Sequence, residues 1–108
     1  MKHIKISDQE SRSGIMSKEH VEEAVVSMHR NGVLALHNAV STASIDRLYA
    51  KMLEDAEQVK SEEGAYRPVV PPPKRPWLFK DILFNEMVIT VTHALLGDGV
   101  FNQQYGAN

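Results

Sequence analysis

Residues 31–53 read NGVLALHNAVSTASIDRLYAKML, and the change of period inside this stretch decides the fold class. Val33, Leu34, Ala35 and Leu36 follow a glycine as an apolar run without helical spacing, which predicts a short, largely buried strand reaching His37. From Ser41 the period becomes that of a helix. Ile45, Leu48, Tyr49, Met52, Leu53, Ala56 and Val59 draw one apolar stripe over about four turns. Ser41 is a natural N-cap, Val40 and Ile45 stand at hydrophobic-staple spacing, and Gly64 closes the helix. Asp46, Arg47, Lys51, Glu54, Asp55 and Glu57 form its wet face.

Upstream, Ser17 caps a second helix. Glu19, Glu22 and Glu23 sit near its positive end, and Val21, Ala24, Val25 and Met28 form its buried stripe. His29 and Arg30 suit its negative end, and Asn31-Gly32 supplies the left-handed residue that stops it. Residues 1–16 are polar apart from Ile4, Ile6, Ile15 and Met16. Alternation across residues 3–7 allows one short strand, while residues 11–14 read as a flexible connector. The expectation is a mobile N-terminal arm over 1–16 unless another strand captures it.

Downstream, residues 65–76 (AYRPVVPPPKRP) form a proline-rich loop that is neither helix nor central strand, because proline lacks the donor and forces its predecessor toward extended geometry. Residues 77–84 predict a short apolar turn of helix. Asn85 then caps a further helix with Phe84 and Ile89 at staple spacing, a buried stripe of Met87, Val88, Val91 and Leu95, and a stop at Gly97. Residues 100–108 (VFNQQYGAN) predict a final strand. The pattern is α+β with too few strands to close a sheet, so 17–108 is read as a partial domain.

Composition narrows the function classes. The chain has 108 residues, 43% of them hydrophobic, and a formal net charge of -2. One folded domain fits that length. With no cysteine there is no disulfide framework, thiolate metal site or cysteine nucleophile. No apolar run approaches the roughly 20 residues of a membrane helix, and no leader pattern opens the chain, so neither a membrane nor secretion is expected and the location reads as cytoplasmic. Balanced charge, with Lys74-Arg75 as a short basic patch, gives no pull toward nucleic acid.

The order of these segments resembles the N-terminal third of the phytanoyl-CoA dioxygenase-like family of non-haem Fe(II), 2-oxoglutarate-dependent oxygenases, nearest to fungal members of secondary metabolism. The likeness is carried by residues 31–39, by Ile45-Asp46-Arg47-Leu48 with Met52-Leu53-Glu54-Asp55, and by Lys80-Asp81-Ile82-Leu83-Phe84-Asn85. Leu95-Leu96-Gly97 and Tyr105-Gly106-Ala107-Asn108 complete it. The resemblance implies the helix-rich N-terminal portion of a double-stranded β-helix (jelly-roll) fold, its β-core incomplete. It also implies Fe(II), 2-oxoglutarate and a small organic substrate in intact relatives. Gln104 and Asn108 are the residues it would place along the co-substrate pocket.

The iron ligands of such enzymes are a His-x-Asp pair and a distant histidine, which hold one face of the metal. None of His3, His20, His29, His37 and His93 begins a His-x-Asp. His20-Val21-Glu22 is a His-x-Glu, but residues two apart on a helix point about 200° apart, so both read as exposed helical side chains. His37 reads as a satisfied structural histidine, and His93 as a cation favoured near a helix C-terminus. No catalytic or metal-ligating residue is assigned. The chain is therefore expected to be a truncated oxygenase, inactive alone and without a cofactor of its own. Association is expected, as a homo-oligomer or with a longer homologue. The rival reading is a non-enzymatic α+β interaction module that uses the Pro-x-x-Pro spacings at 68–71 and 73–76, or the final strand.

Overall fold

Alternation in the first residues puts Ile4 and Ile6 on one face of an extended segment, and both are buried at 2% and 0% exposure. The computed structural model describes residues 1–59 and 79–99. Within them the order is β1 (Lys2–Lys5), α1 (Asp8–Ser13), α2 (Lys18–Asn31), β2 (Leu34–His37), α3 (Thr42–Val59), α4 (Lys80–Leu83) and α5 (Glu86–Leu96). The architecture is mixed α+β. β1 and β2 pair in parallel, with Lys2 opposite Leu34, His3 opposite Ala35, Ile4 opposite Leu36 and Lys5 opposite His37. The Ile6 amide donates to the His37 carbonyl at 2.9 Å and extends the ladder.

The expected arm at 1–16 is therefore captured, and β2 is the strand that captures it. Residues 11–14 correct the reading of a flexible connector: they finish a helix. Ser7 and Glu10 form a reciprocal capping box at the start of α1, and Gly14 closes it in the left-handed conformation at φ 71°. Arg12 Nε also donates to the Asp8 carbonyl at 3.1 Å.

α2 begins and ends as its sequence predicts. Ser17 Oγ accepts from the His20 amide at 3.2 Å, and Gly32 is left-handed at φ 69°. Its inward face carries Ala24 and Ser27, both buried, with Val21, Val25 and Met28 half-buried. α2 packs against α5 and both strands. The core is Ile4, Ile6, Met16, Ala24, Met87 and Val91, with Val21, Leu34, Leu36, Ala39 and Leu95 packed around it. β2 is half-buried rather than largely buried, because among the described residues the helices cover the face of the sheet that carries Ile4 and Leu36.

The two longer remaining helices, α3 and α5, keep their expected starts but only part of their expected faces, with Leu48 and Met52 of α3 half-buried. Ser41 caps α3, its Oγ accepting from the Ser44 amide at 3.2 Å. Yet Ile45, Tyr49 and Leu53 of the apolar stripe are 51%, 62% and 49% exposed, while Ser44 is buried. On α5, Met87 and Val91 are buried as expected, but Val88 is exposed. Periodicity identifies an apolar face; it does not say what lies against it. Gly64, the loop at 65–76, the helical turn from 77 and the strand at 100–108 lie outside the described residues, apart from the part of that turn seen as α4.

Ile6 is the most completely buried of the large side chains. Ile6→Ala is expected to cost about 2–5 kcal/mol by removing methylenes from a closed site. Urea unfolding followed by circular dichroism measures that loss as a lower midpoint with an unchanged slope.

Candidate functional site

Three places gather chemistry-bearing side chains among the described residues, and each is built by helix starts or strand register. The first is the Glu10 carboxylate. Its Oε1 accepts from the Ser17 amide at 2.7 Å and faces His20 Nδ1 at 2.9 Å. Its Oε2 accepts from the Ser7 amide at 2.9 Å and the Ser7 hydroxyl at 2.8 Å. These donors hold the Glu10 pKa far below the ordinary glutamate range: the Ser17 amide contributes most, then the Ser7 amide, against an opposing push from burial. His20 is therefore not the exposed helical side chain expected, being half-buried, whereas Glu22 is exposed as expected. His20 turns back ten residues to Glu10, and Glu22 lies near Lys18 instead.

The second place is an open cleft of about 410 Å³ between the end of α1, the β2–α3 turn and the α4–α5 corner. Asn85 fixes that corner. Its Nδ2 donates to the Ala39 carbonyl at 2.7 Å and the Asp81 carbonyl at 2.9 Å, and its Oδ1 accepts from the Val88 amide at 3.1 Å. Ser41 Oγ lies 3.1 Å from Asp81 Oδ2 and 2.9 Å from Ser44 Oγ, and Arg47 Nη2 donates to Ser44 Oγ at 3.1 Å. The Ser44 hydroxyl, followed by that of Ser41 and the Arg47 charge, lowers the Asp81 pKa against the effect of its burial. Arg47 also lies over the Phe79 ring, 5.8 Å from its centroid. Acyl transfer needs a serine paired with a base that is itself oriented by a third group. Ser41 instead answers to a carboxylate and a second hydroxyl, so the network braces α3 against α4.

The third place is the exposed face of the sheet, where His3 Nδ1 and His37 Nε2 lie 2.6 Å apart. Sequence reasoning treated the two singly, because the parallel register that joins them spans 34 positions.

Fe(II) in the resembled enzymes needs two imidazoles and a carboxylate on one face. Among the described residues no group of three or more His, Asp or Glu side chains is placed to hold a metal ion. The described residues thus do not fit that triad. Gln104 and Asn108 lie outside the described residues, as do both Pro-x-x-Pro spacings. Among the described residues no helix is long and apolar enough to cross a membrane. No family model matches the chain, and no solved structure does.

Two tests follow from this geometry. The Glu10 pKa is lowered in the folded state, so its contribution is fully present above the unfolded value and is lost as pH falls through the folded one. Glu10→Gln should be less stable than the parent by about 1–3 kcal/mol at neutral pH. The gap should narrow steadily below about pH 5, read from urea midpoints across an acid series. At the corner, Asn85→Asp keeps the cap acceptor but turns a donor toward two carbonyls into an acceptor. It should lower thermal stability more than a lost cap alone, which is worth about 1 kcal/mol, and calorimetry measures the difference.

Proposed function

We propose that this chain forms the helical N-terminal portion of a phytanoyl-CoA dioxygenase-like oxygenase of fungal secondary-metabolite type and acts as a scaffold, not as a catalyst. The observation that carries the reading is the uncovered apolar stripe of α3. Ile45, Tyr49 and Leu53 recur every four residues, so they share one face, and about half or more of each is exposed. Burying such side chains is worth about 1.5–3 kcal/mol each, and a helix stripe of this width fits a second layer of structure. In the resembled fold that layer is the jelly-roll core, and the residues that hold Fe(II) and 2-oxoglutarate belong to it. Gln104 and Asn108 would approach the co-substrate from this portion. The substrate class of an intact relative is a small organic molecule, oxidised as 2-oxoglutarate is decarboxylated.

The absence of a His-x-Asp in the sequence supports the scaffold role. Supplied with ferrous ion and 2-oxoglutarate, the purified chain should form no succinate, and sustained succinate formation would overturn that role. The family reading is tested separately by the nucleotide sequence beyond the Asn108 codon. A His-x-Asp within a few tens of codons is expected there, and its absence from every frame sinks the assignment. Exposed apolar faces also drive association. Replacing Ile45→Lys, Tyr49→Lys and Leu53→Glu together should abolish concentration-dependent self-association in light scattering while leaving the circular dichroism spectrum unchanged.

A further inference from the structure

We propose that His3 and His37 form a binding site for a divalent transition-metal cation of the zinc type on the open face of the β1–β2 sheet. The register places it. His3 lies opposite Ala35 and His37 opposite Lys5, so the two histidines stand on adjacent strands, offset by two residues and on the same face. That is the face away from Ile4 and Leu36, which point into the core with the helices. Both histidines are exposed. Their rings are 4.9 Å apart between centroids and tilted by 31°, with His3 Nδ1 aimed at His37 Nε2 across 2.6 Å.

Two imidazole nitrogens at that separation share one hydrogen: one ring donates and the other offers its lone pair. A divalent cation displaces that hydrogen, which passes through solvent to the other nitrogen of the same ring, and takes the two lone pairs of the neutral rings. With metal–nitrogen bonds of about 2.0–2.1 Å, two cis ligands sit roughly 2.9–3.3 Å apart, so the rings need to part by well under an ångström. Imidazole is a preferred ligand for zinc, copper and nickel. Because no other His, Asp or Glu among the described residues completes a set of three, the remaining coordination positions open to water or to an added anion. The charged neighbours pull in opposite directions. Lys5 lies directly across from His37 and opposes a cation, while Asp8 is held by the Asn38 amide, one residue past His37, at 3.1 Å. Lys2 projects to the helical side, where it pairs with Glu23.

Titration of the full chain with Zn²⁺ in a non-chelating buffer near neutral pH tests the site. One ion per chain and a rise in Tm are expected. His3→Gln and His37→Gln should each weaken binding by about tenfold or more and remove the rise in Tm. His29→Gln and His93→Gln should leave both unchanged. In the unsubstituted chain, the imidazole ¹⁵N resonances of His3 and His37 should move on addition of Zn²⁺ while those of His29 and His93 stay, which needs no variant to fold. Failure to take up Zn²⁺, or uptake that His37→Gln leaves intact, overturns the proposal. The test is independent of the oxygenase reading, which concerns other residues and ferrous ion.

Discussion

One carboxylate holds the first third of this chain together. Glu10 closes the capping box of α1 through Ser7 and, with its other oxygen, takes the Ser17 amide and the His20 ring at the start of α2. Two helix starts thus converge on a single negative charge, where unpaired amides and both helix dipoles favour an anion. The geometric result matters more than the energy. With α1 and α2 tied at that point, the chain leaves β1, turns through one short helix and returns along α2, so that β2 arrives parallel to β1. Met16, just before the α2 cap, is drawn into the core by the same turn.

That arrangement leaves two surfaces unfinished. Parallel strands are usually covered on both faces, but among the described residues α2 and α5 lie on one, and the other presents His3 and His37. The second surface is the outward stripe of α3. It arises because the inward line of α3 is Ser44 with half-buried Leu48 and Met52, which leaves Ile45, Tyr49 and Leu53 outside, and the Ser44 hydroxyl joins Ser41, Asp81 and Arg47. A helix can satisfy only one face against a given neighbour. The polar brace to α4 has taken the start of the inner face of α3, so Ile45, Tyr49 and Leu53 look outward while Leu48 and Met52 are half-buried. The scaffold reading grows from that competition between a hydrogen-bonded brace and a hydrophobic stripe.

The sequence was most legible where a rule acts within four or five residues. The caps at Ser17, Ser41 and Asn85 and the stop at Gly32 follow from local hydrogen bonding alone, and β2 follows from the loss of helical period. The Ser7-Asp8-Gln9-Glu10 capping box is equally local, an S-x-x-E signature that no apolar stripe accompanies because the surrounding segment is polar. Other features depend on distance. The turn of His20 toward Glu10 crosses a helix boundary. The meeting of His3 with His37 needs the register of two strands far apart in sequence. The exposure of Ile45, Tyr49 and Leu53 depends on what packs against them, about which periodicity is silent.

The histidine pair bears on stability as well as binding, because it sits across a long-range strand pairing. β1 and β2 are four residues each, and their pairing closes a loop that separates His3 from His37 by 34 positions. Closing a loop of that length carries an entropic cost that a short ladder barely offsets. Glu10 lowers the cost from the inside by making the intervening helices rigid. A cation held between His3 and His37 would act from the outside, as a reversible cross-link at the mouth of the loop, much as a disulfide restricts an unfolded chain. The two devices act on the same closure without sharing a residue. Their effects should therefore add wherever the strands remain paired, and neither should compensate for the other once β1 has detached.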